Sequence, residues 1–119
     1  MATFMLMIHG DREAWEHMPT EEQSRVAAGH RAFVAEAGEA ILGGGELDDA
    51  STATFLRSPH GQQSGAPGGP FPQARQVVGG YYLIDVPGLE ETVRLATLLP
   101  EVRAAYDAGV EIRRVLDDD

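Results

Sequence analysis

The 119-residue chain contains no cysteine. Disulfides, thiolate metal sites and a cysteine nucleophile are therefore excluded, and the absence fits a reducing cytoplasm. Apolar stretches stay short, none near the roughly 18 residues that span a bilayer. A soluble protein with no membrane partner is expected. The opening MATFMLMIHGD lacks a basic start and a small-residue cleavage site, and its apolar part is too short for a signal peptide, so it is read as a first strand. Positive charge is scarce: nine Lys and Arg stand against nineteen Asp and Glu, a formal net charge of −10. A field of that sign repels phosphate backbones and anionic headgroups, so no nucleic acid is expected as a partner. The serines Ser24, Ser51, Ser58 and Ser64 lie in no nucleophile-elbow context. The histidines His9, His17, His30 and His60 are spaced 8, 13 and 30 apart, which matches no zinc-binding pattern, and no metal is predicted. Gly43, Gly44 and Gly45 lack the Lys and Ser/Thr of a phosphate loop, and no cofactor is expected.

What is present reads as an ordinary globular chain, with 43% hydrophobic and 24% charged residues. Its length gives one domain over residues 1–116, followed by an acidic, solvated tail over 117–119. Residues 3–9 form a strand with Phe4, Leu6 and Ile8 on one side and Met5, Met7 and His9 on the other. A helical turn over 12–17 precedes a long helix that Thr20 and Gln23 begin as a capping box and Gly38 ends. Residues 40–47 and 52–58 read as two strands joined by a turn, and residues 59–75 as a long loop of the kind that is functional or disordered. The strand over 76–86 puts Val77, Tyr81 and Leu83 on one face and Val78, Tyr82 and Ile84 on the other. In the helix over 88–99, Leu89, Val93, Ala96 and Leu99 form the apolar side and Glu90 pairs with Arg94. Pro100 ends it, a short turn follows, and residues 110–116 make the last strand.

The predicted order, β-α-β-β-loop-β-α-β, is that of a ferredoxin-like split βαβ sheet with an added hairpin strand. Its helices can cover one face. Because the first and fourth predicted strands are apolar on both sides, the other face calls for a second copy, and a homodimer with sheets face to face is predicted.

Residues 65–73, GAPGGPFPQ, hold one aromatic among prolines and glycines. Together with MATFMLMIHGDREAW, the run GGPFPQARQVVGGYYLIDVPGLEETVRLATLLP and the closing GVEIRRV, this stretch resembles the YCII-related proteins, in particular the branch named for an Asp-Gly-Pro-Phe motif. The resemblance spans nearly the whole chain. It implies a ferredoxin-like α/β dimer of barrel-like form, with a pocket that uses a His and an Asp. Most members have no assigned activity, and some are fused or adjacent to sigma factors. At the motif itself this chain reads Gly68, Gly69, Pro70 and Phe71, so the carboxylate is gone while the turn and the aromatic remain. An Asp-His dyad from that loop cannot operate here. Phe71 either anchors the loop or touches substrate.

His30 shares a helix face with Val26, Phe33, Val34 and Ala37, which sets an imidazole against the sheet. The resemblance places the family's histidine on this same helix. His30 is either a general base opening on a pocket or a core histidine bonded to a carbonyl. His9 and Asp11 either join it in a cluster on the pocket or dimer side, or serve as strand-end groups capping the next turn. Glu46 either replaces the missing carboxylate or meets solvent, one of Tyr81 and Tyr82 faces the pocket, and His17 and His60 are solvated. Three functions follow. The first is a cofactor-free lyase, isomerase or cyclase acting on a small aromatic or polyketide-like substrate. The others are a non-catalytic ligand-binding or regulatory module, and a structural dimer without a ligand-sized cavity.

Overall fold

A computed structural model describes residues 1–62 and 75–116. Residues 68–71, which carry the motif and Phe71, and the tail 117–119 lie outside the described residues. Strand β1 (Ala2–Asp11) runs into a short helix α1 (Arg12–Glu16), then α2 (Thr20–Ala37), β2 (Ile41–Glu46) and a single helical turn α3 (Pro59–Gln62). Strand β3 (Gln76–Val86), helix α4 (Leu89–Ala96), a 3-10 turn (Pro100–Arg103) and β4 (Ala108–Val115) follow. The sheet has four strands in the order β2-β3-β1-β4, and every pairing is antiparallel. This is a ferredoxin-like α+β fold with helices on one face.

The alternation of β1 decides which side is covered. Phe4, Leu6 and Ile8 are buried with Ile84 and Val86 of β3 beneath Phe33 and Ala37 of α2 and Leu95 and Ala96 of α4, with Leu99 beyond. Leu6 sits between Tyr82 and Ile112 in the ladder, so the three central strands present one continuous apolar surface to the helices. Met5, Met7 and His9 stay half-buried on the other side. Gly38 ends α2 with φ +52° while its N–H reaches the Val34 carbonyl, as the sequence led us to expect.

Five expectations are corrected. Residues 52–58 form no strand: Asp49 caps a 3-10 turn, Ala50–Thr52, by accepting from the Ser51 amide, and the chain continues without a ladder partner. Leu56 is 93% exposed and Phe55 is exposed too, so the strand-like alternation of the segment buries no apolar face. Helix α2 starts one position earlier than a Thr20 cap requires; Pro19 holds the extended cap position and Gln23 donates instead to the Met18 carbonyl at 2.9 Å. Along α2, Phe33 and Ala37 are buried but Val34 points outward. Helix α4 buries Thr92, Leu95 and Ala96 and leaves Leu89 and Val93 exposed. The threonine makes that stripe tolerable because its hydroxyl donates to the Gly88 carbonyl at 3.0 Å, and Arg94 bonds Glu91 and Glu36 in place of Glu90.

The fifth correction concerns β3. A bulge opposite Ile8 and His9 shifts the register, so that Ile8 pairs with Gly80, His9 with Val78 and Gly10 with Val77. Residues directly opposite share a face, and one extra residue reverses the alternation below it. Val77 therefore joins Tyr82 and Ile84 on the helix side, while Val78 joins Tyr81 and Leu83 on the open side. Gly79 at the bulge lies under the Trp15 ring, where a Cβ would meet Cζ3 at 2.6 Å.

The burial pattern gives a direct check. Leu6→Ala removes a fully enclosed side chain and should cost about 2–5 kcal/mol, whereas Leu56→Ser should stay within about 0.5 kcal/mol. Urea unfolding read as a midpoint change at constant slope measures both.

Candidate active site

A cleft lies between the N-terminal two thirds of α2, at Gln23, Val26, Ala27 and His30, and the strands at Gly44, Gly79 and Gly80. Its volume is about 800 Å³, within the range that holds small ligands. His30 stands in its wall with its side chain 24% exposed.

Both ring nitrogens of His30 are engaged. Nδ1 lies 2.8 Å from the Tyr82 hydroxyl and Nε2 lies 2.9 Å from Oε2 of Glu101. An ionised carboxylate only accepts, so Nε2–H donates to Glu101 and Nδ1 accepts the Tyr82 O–H. The outcome is a continuous line from phenol to imidazole to carboxylate. The rings of His30 and Tyr82 stack at 5.9 Å, and Phe33 backs Tyr82 at 4.6 Å, which fixes the phenol in place. Burial, and then the negative charge of Glu101, raise the Tyr82 phenol above its ordinary value, so it holds its proton at neutral pH.

Glu101 reaches this position through a close approach. It belongs to the Pro100–Arg103 turn, and Pro100 packs on α2 at Gly29, where a Cβ would meet the proline ring at 2.9 Å. Glycine beside His30 thus lets the turn come near enough to bring its carboxylate to the imidazole. The Glu101 side chain is 3% exposed, and its Oε1 has no hydrogen-bond donor among the described residues. Trp15, which also lines the cleft, donates its indole N–H to the Tyr106 hydroxyl at 3.1 Å.

The structure does not bring His9, Asp11 and His30 together. His9 lies on the open face of the sheet, where Nε2 meets Oε1 of Glu111 at 2.8 Å. Asp11 caps α1, accepting from the Glu13 amide at 2.9 Å and the Ala14 amide at 3.2 Å, and its other oxygen accepts from Arg75 Nε at 2.7 Å. Glu46 lines the cleft opposite Gly80, but the carboxylate partner of His30 is Glu101. Tyr82 faces the helices; Tyr81 pairs with Met7 and Gly45 on the open face, its ring 3.7 Å from where a Gly45 Cβ would stand. His17 bonds the Glu13 carbonyl at an exposed helix end and His60 is exposed, as expected of solvated residues. Glu101 was missed by the sequence reading. Its local context, the acidic residue after a helix-ending proline, carries no periodic signal.

No family model matches this chain, and no curated protein matches it. Among solved structures it is similar to 5-chloro-2-hydroxyhydroquinone dehydrochlorinase (TftG) from Burkholderia phenoliruptrix AC1100, in complex with 2,5-dihydroxybenzoquinone, with a TM-score of 0.53 and 17% sequence identity. The match covers 96% of this chain and 93% of that one. The two share a fold. Among the described residues, no helix is long and apolar enough to cross a membrane.

The strand-end pair Asp11–Arg75 yields a pH prediction. The Arg75 guanidinium first, and then the Ala14 amide, hold the Asp11 carboxyl below its ordinary value against the opposing effect of desolvation. A depressed folded value means that this stabilisation is complete above the unfolded value of about 3.9 and fades as pH falls through the folded one. Asp11→Asn should be less stable than the parent at pH 7, and the difference should close below about pH 4, as read from denaturant melts across a pH series.

Proposed function

We propose that this protein is a cofactor-independent proton-transfer enzyme, a lyase, isomerase or cyclase, acting on a small aromatic or polyketide-like molecule. The observation that carries this reading is the placement of Tyr82, His30 and Glu101 in one hydrogen-bonded line at the wall of a ligand-sized cleft. Because both nitrogens of His30 are occupied, the phenol is the group offered to a ligand. As Tyr82 Oη takes a proton from the bound molecule, its own proton passes to Nδ1, and Glu101 balances the imidazolium that forms. The proton then returns by the same route to the product or to a departing group. Tyr82 is the catalytic acid and base, His30 is its proton store, and Glu101 is a positioning residue. Asp11 has no part, since its lone pairs serve a helix cap and an arginine.

The similar solved chain is a dehydrochlorinase of a substituted hydroquinone held with a quinone. That activity supports an elimination on a hydroxylated ring as the form the chemistry takes here. We assign the chain to the YCII-related family on the same reading, with Glu101 supplying the carboxylate that the Asp-Gly-Pro-Phe branch carries where Gly68 stands here. The reading includes a cytoplasmic homodimer that packs through Met5, Met7, Tyr81 and Leu83 on the open face. In sedimentation, the parent should run as a dimer and Met7→Glu as a monomer; a monomeric parent removes this part.

The absence of the motif carboxylate at Gly68 favours a second reading, a ligand-binding module without turnover. Hydroxylated and halogenated hydroquinones, followed by ultraviolet absorbance and by ligand-induced melting shifts, separate the two. For an enzyme, Tyr82→Phe and His30→Ala should each lower kcat by about 10²–10⁴ while keeping the melting shift. Glu101→Gln should lower kcat and move the pH profile. A folded His30→Ala protein with full activity would sink the proposal, and binding without turnover by the parent would leave the module.

A further inference from the structure

The charge around the cleft is one-sided. Glu16, Glu46, Asp48, Asp49 and Glu101 contribute carboxylates to its lining. Arg12, the lining cation among the described residues, is drawn to Glu16 at 3.6 Å, which offsets that pair and leaves the remainder negative. Two of the rim carboxylates are held in position by backbone amides: Asp48 accepts from the Asp49 N–H at 2.8 Å and Asp49 from the Ser51 N–H at 3.1 Å. At the inner end, Oε1 of Glu101 is enclosed without a donor among the described residues, so the potential of that carboxylate is uncompensated on one side. A recess with low-dielectric walls focuses such a field far more than a flat surface does. The molecule as a whole carries a net charge of −10, so no distant excess of positive charge cancels it.

We propose that the cleft selects its ligand by charge: it takes ring molecules whose substituents are hydroxyl or amine groups and rejects those bearing a carboxylate or a phosphate, with Glu46 and Asp48 as the selecting residues. The proposal rests on the reading of the cleft as a site for small ring ligands and narrows it. Aromatic contacts are neutral to this choice, because Trp15 and Tyr82 offer a ring the same surface whatever it carries. Charge therefore decides. An anionic substituent entering the rim meets like charges, whereas an ammonium group meets partners, and neutral hydroxyls can donate to the same oxygens.

Three matched probes test this: methylcatechol, dihydroxybenzoate and dihydroxybenzylamine, each titrated calorimetrically into the parent and into a Glu46→Gln, Asp48→Asn double variant at low and moderate salt. In the parent, dihydroxybenzoate should bind about tenfold more weakly than methylcatechol and dihydroxybenzylamine several-fold more tightly. The spread should shrink in the double variant and at higher salt. Dihydroxybenzoate binding as tightly as methylcatechol, or a spread unchanged in the variant, overturns the proposal while the ring-ligand reading stands. Binding of none of the three overturns that reading and this inference with it.

Discussion

A proline ring lying on a glycine of α2 is the contact on which the site turns. Pro100 closes onto Gly29, and the 3-10 turn that starts there carries Glu101 into the protein, where its Oε2 reaches His30. Burying a carboxylate is costly unless hydrogen bonds and an opposite charge offset the lost water, and here one oxygen is served and the other is not. The served oxygen meets the imidazole, so the packing that buries Glu101 also holds the His30 ring between that carboxylate and the Tyr82 hydroxyl.

The rest of the fold serves to keep that turn and that helix in register. Leu99, fully enclosed, ties the end of α4 to the core immediately before Pro100, while Phe33 fixes α2 one turn beyond His30 and supports the Tyr82 ring. The cleft survives because packing is uneven. Toward the C-terminal end of α2, Phe33 and Ala37 meet the large side chains of β1 and β3, whereas toward its N-terminal end the sheet offers glycines. Helix and sheet are thus close-packed on one side of His30 and separated on the other.

How far this was legible in the sequence depended on the range of the interaction. The alternation of Phe4, Leu6 and Ile8 is local and strong, and it placed the helix side of β1. The apolar setting of His30 was also readable, because Phe33 and Ala37 follow it at helical spacing. Failures came where something distant in the chain decided. The bulge at Gly79 is fixed by the Trp15 ring and the neighbouring strand, and it reversed the faces of Val77 and Val78. The strand-like run over 52–58 joins neither edge strand, β2 or β4, which no property of its own residues reveals. Glu101 lies 71 positions from His30, and their pairing is a product of topology.

The two faces of the sheet divide the work, which changes the expected relation between dimer and site. The alternation of β1 set His9 with Met5 and Met7 toward the dimer or pocket side, yet Tyr82, His30 and Glu101 all stand on the opposite, helix-covered side. His9 is occupied with Glu111 instead. Two copies joined through the open face would each retain a complete phenol-imidazole-carboxylate line, since none of its members comes from that face. The phenol-imidazole-carboxylate line is complete within one chain.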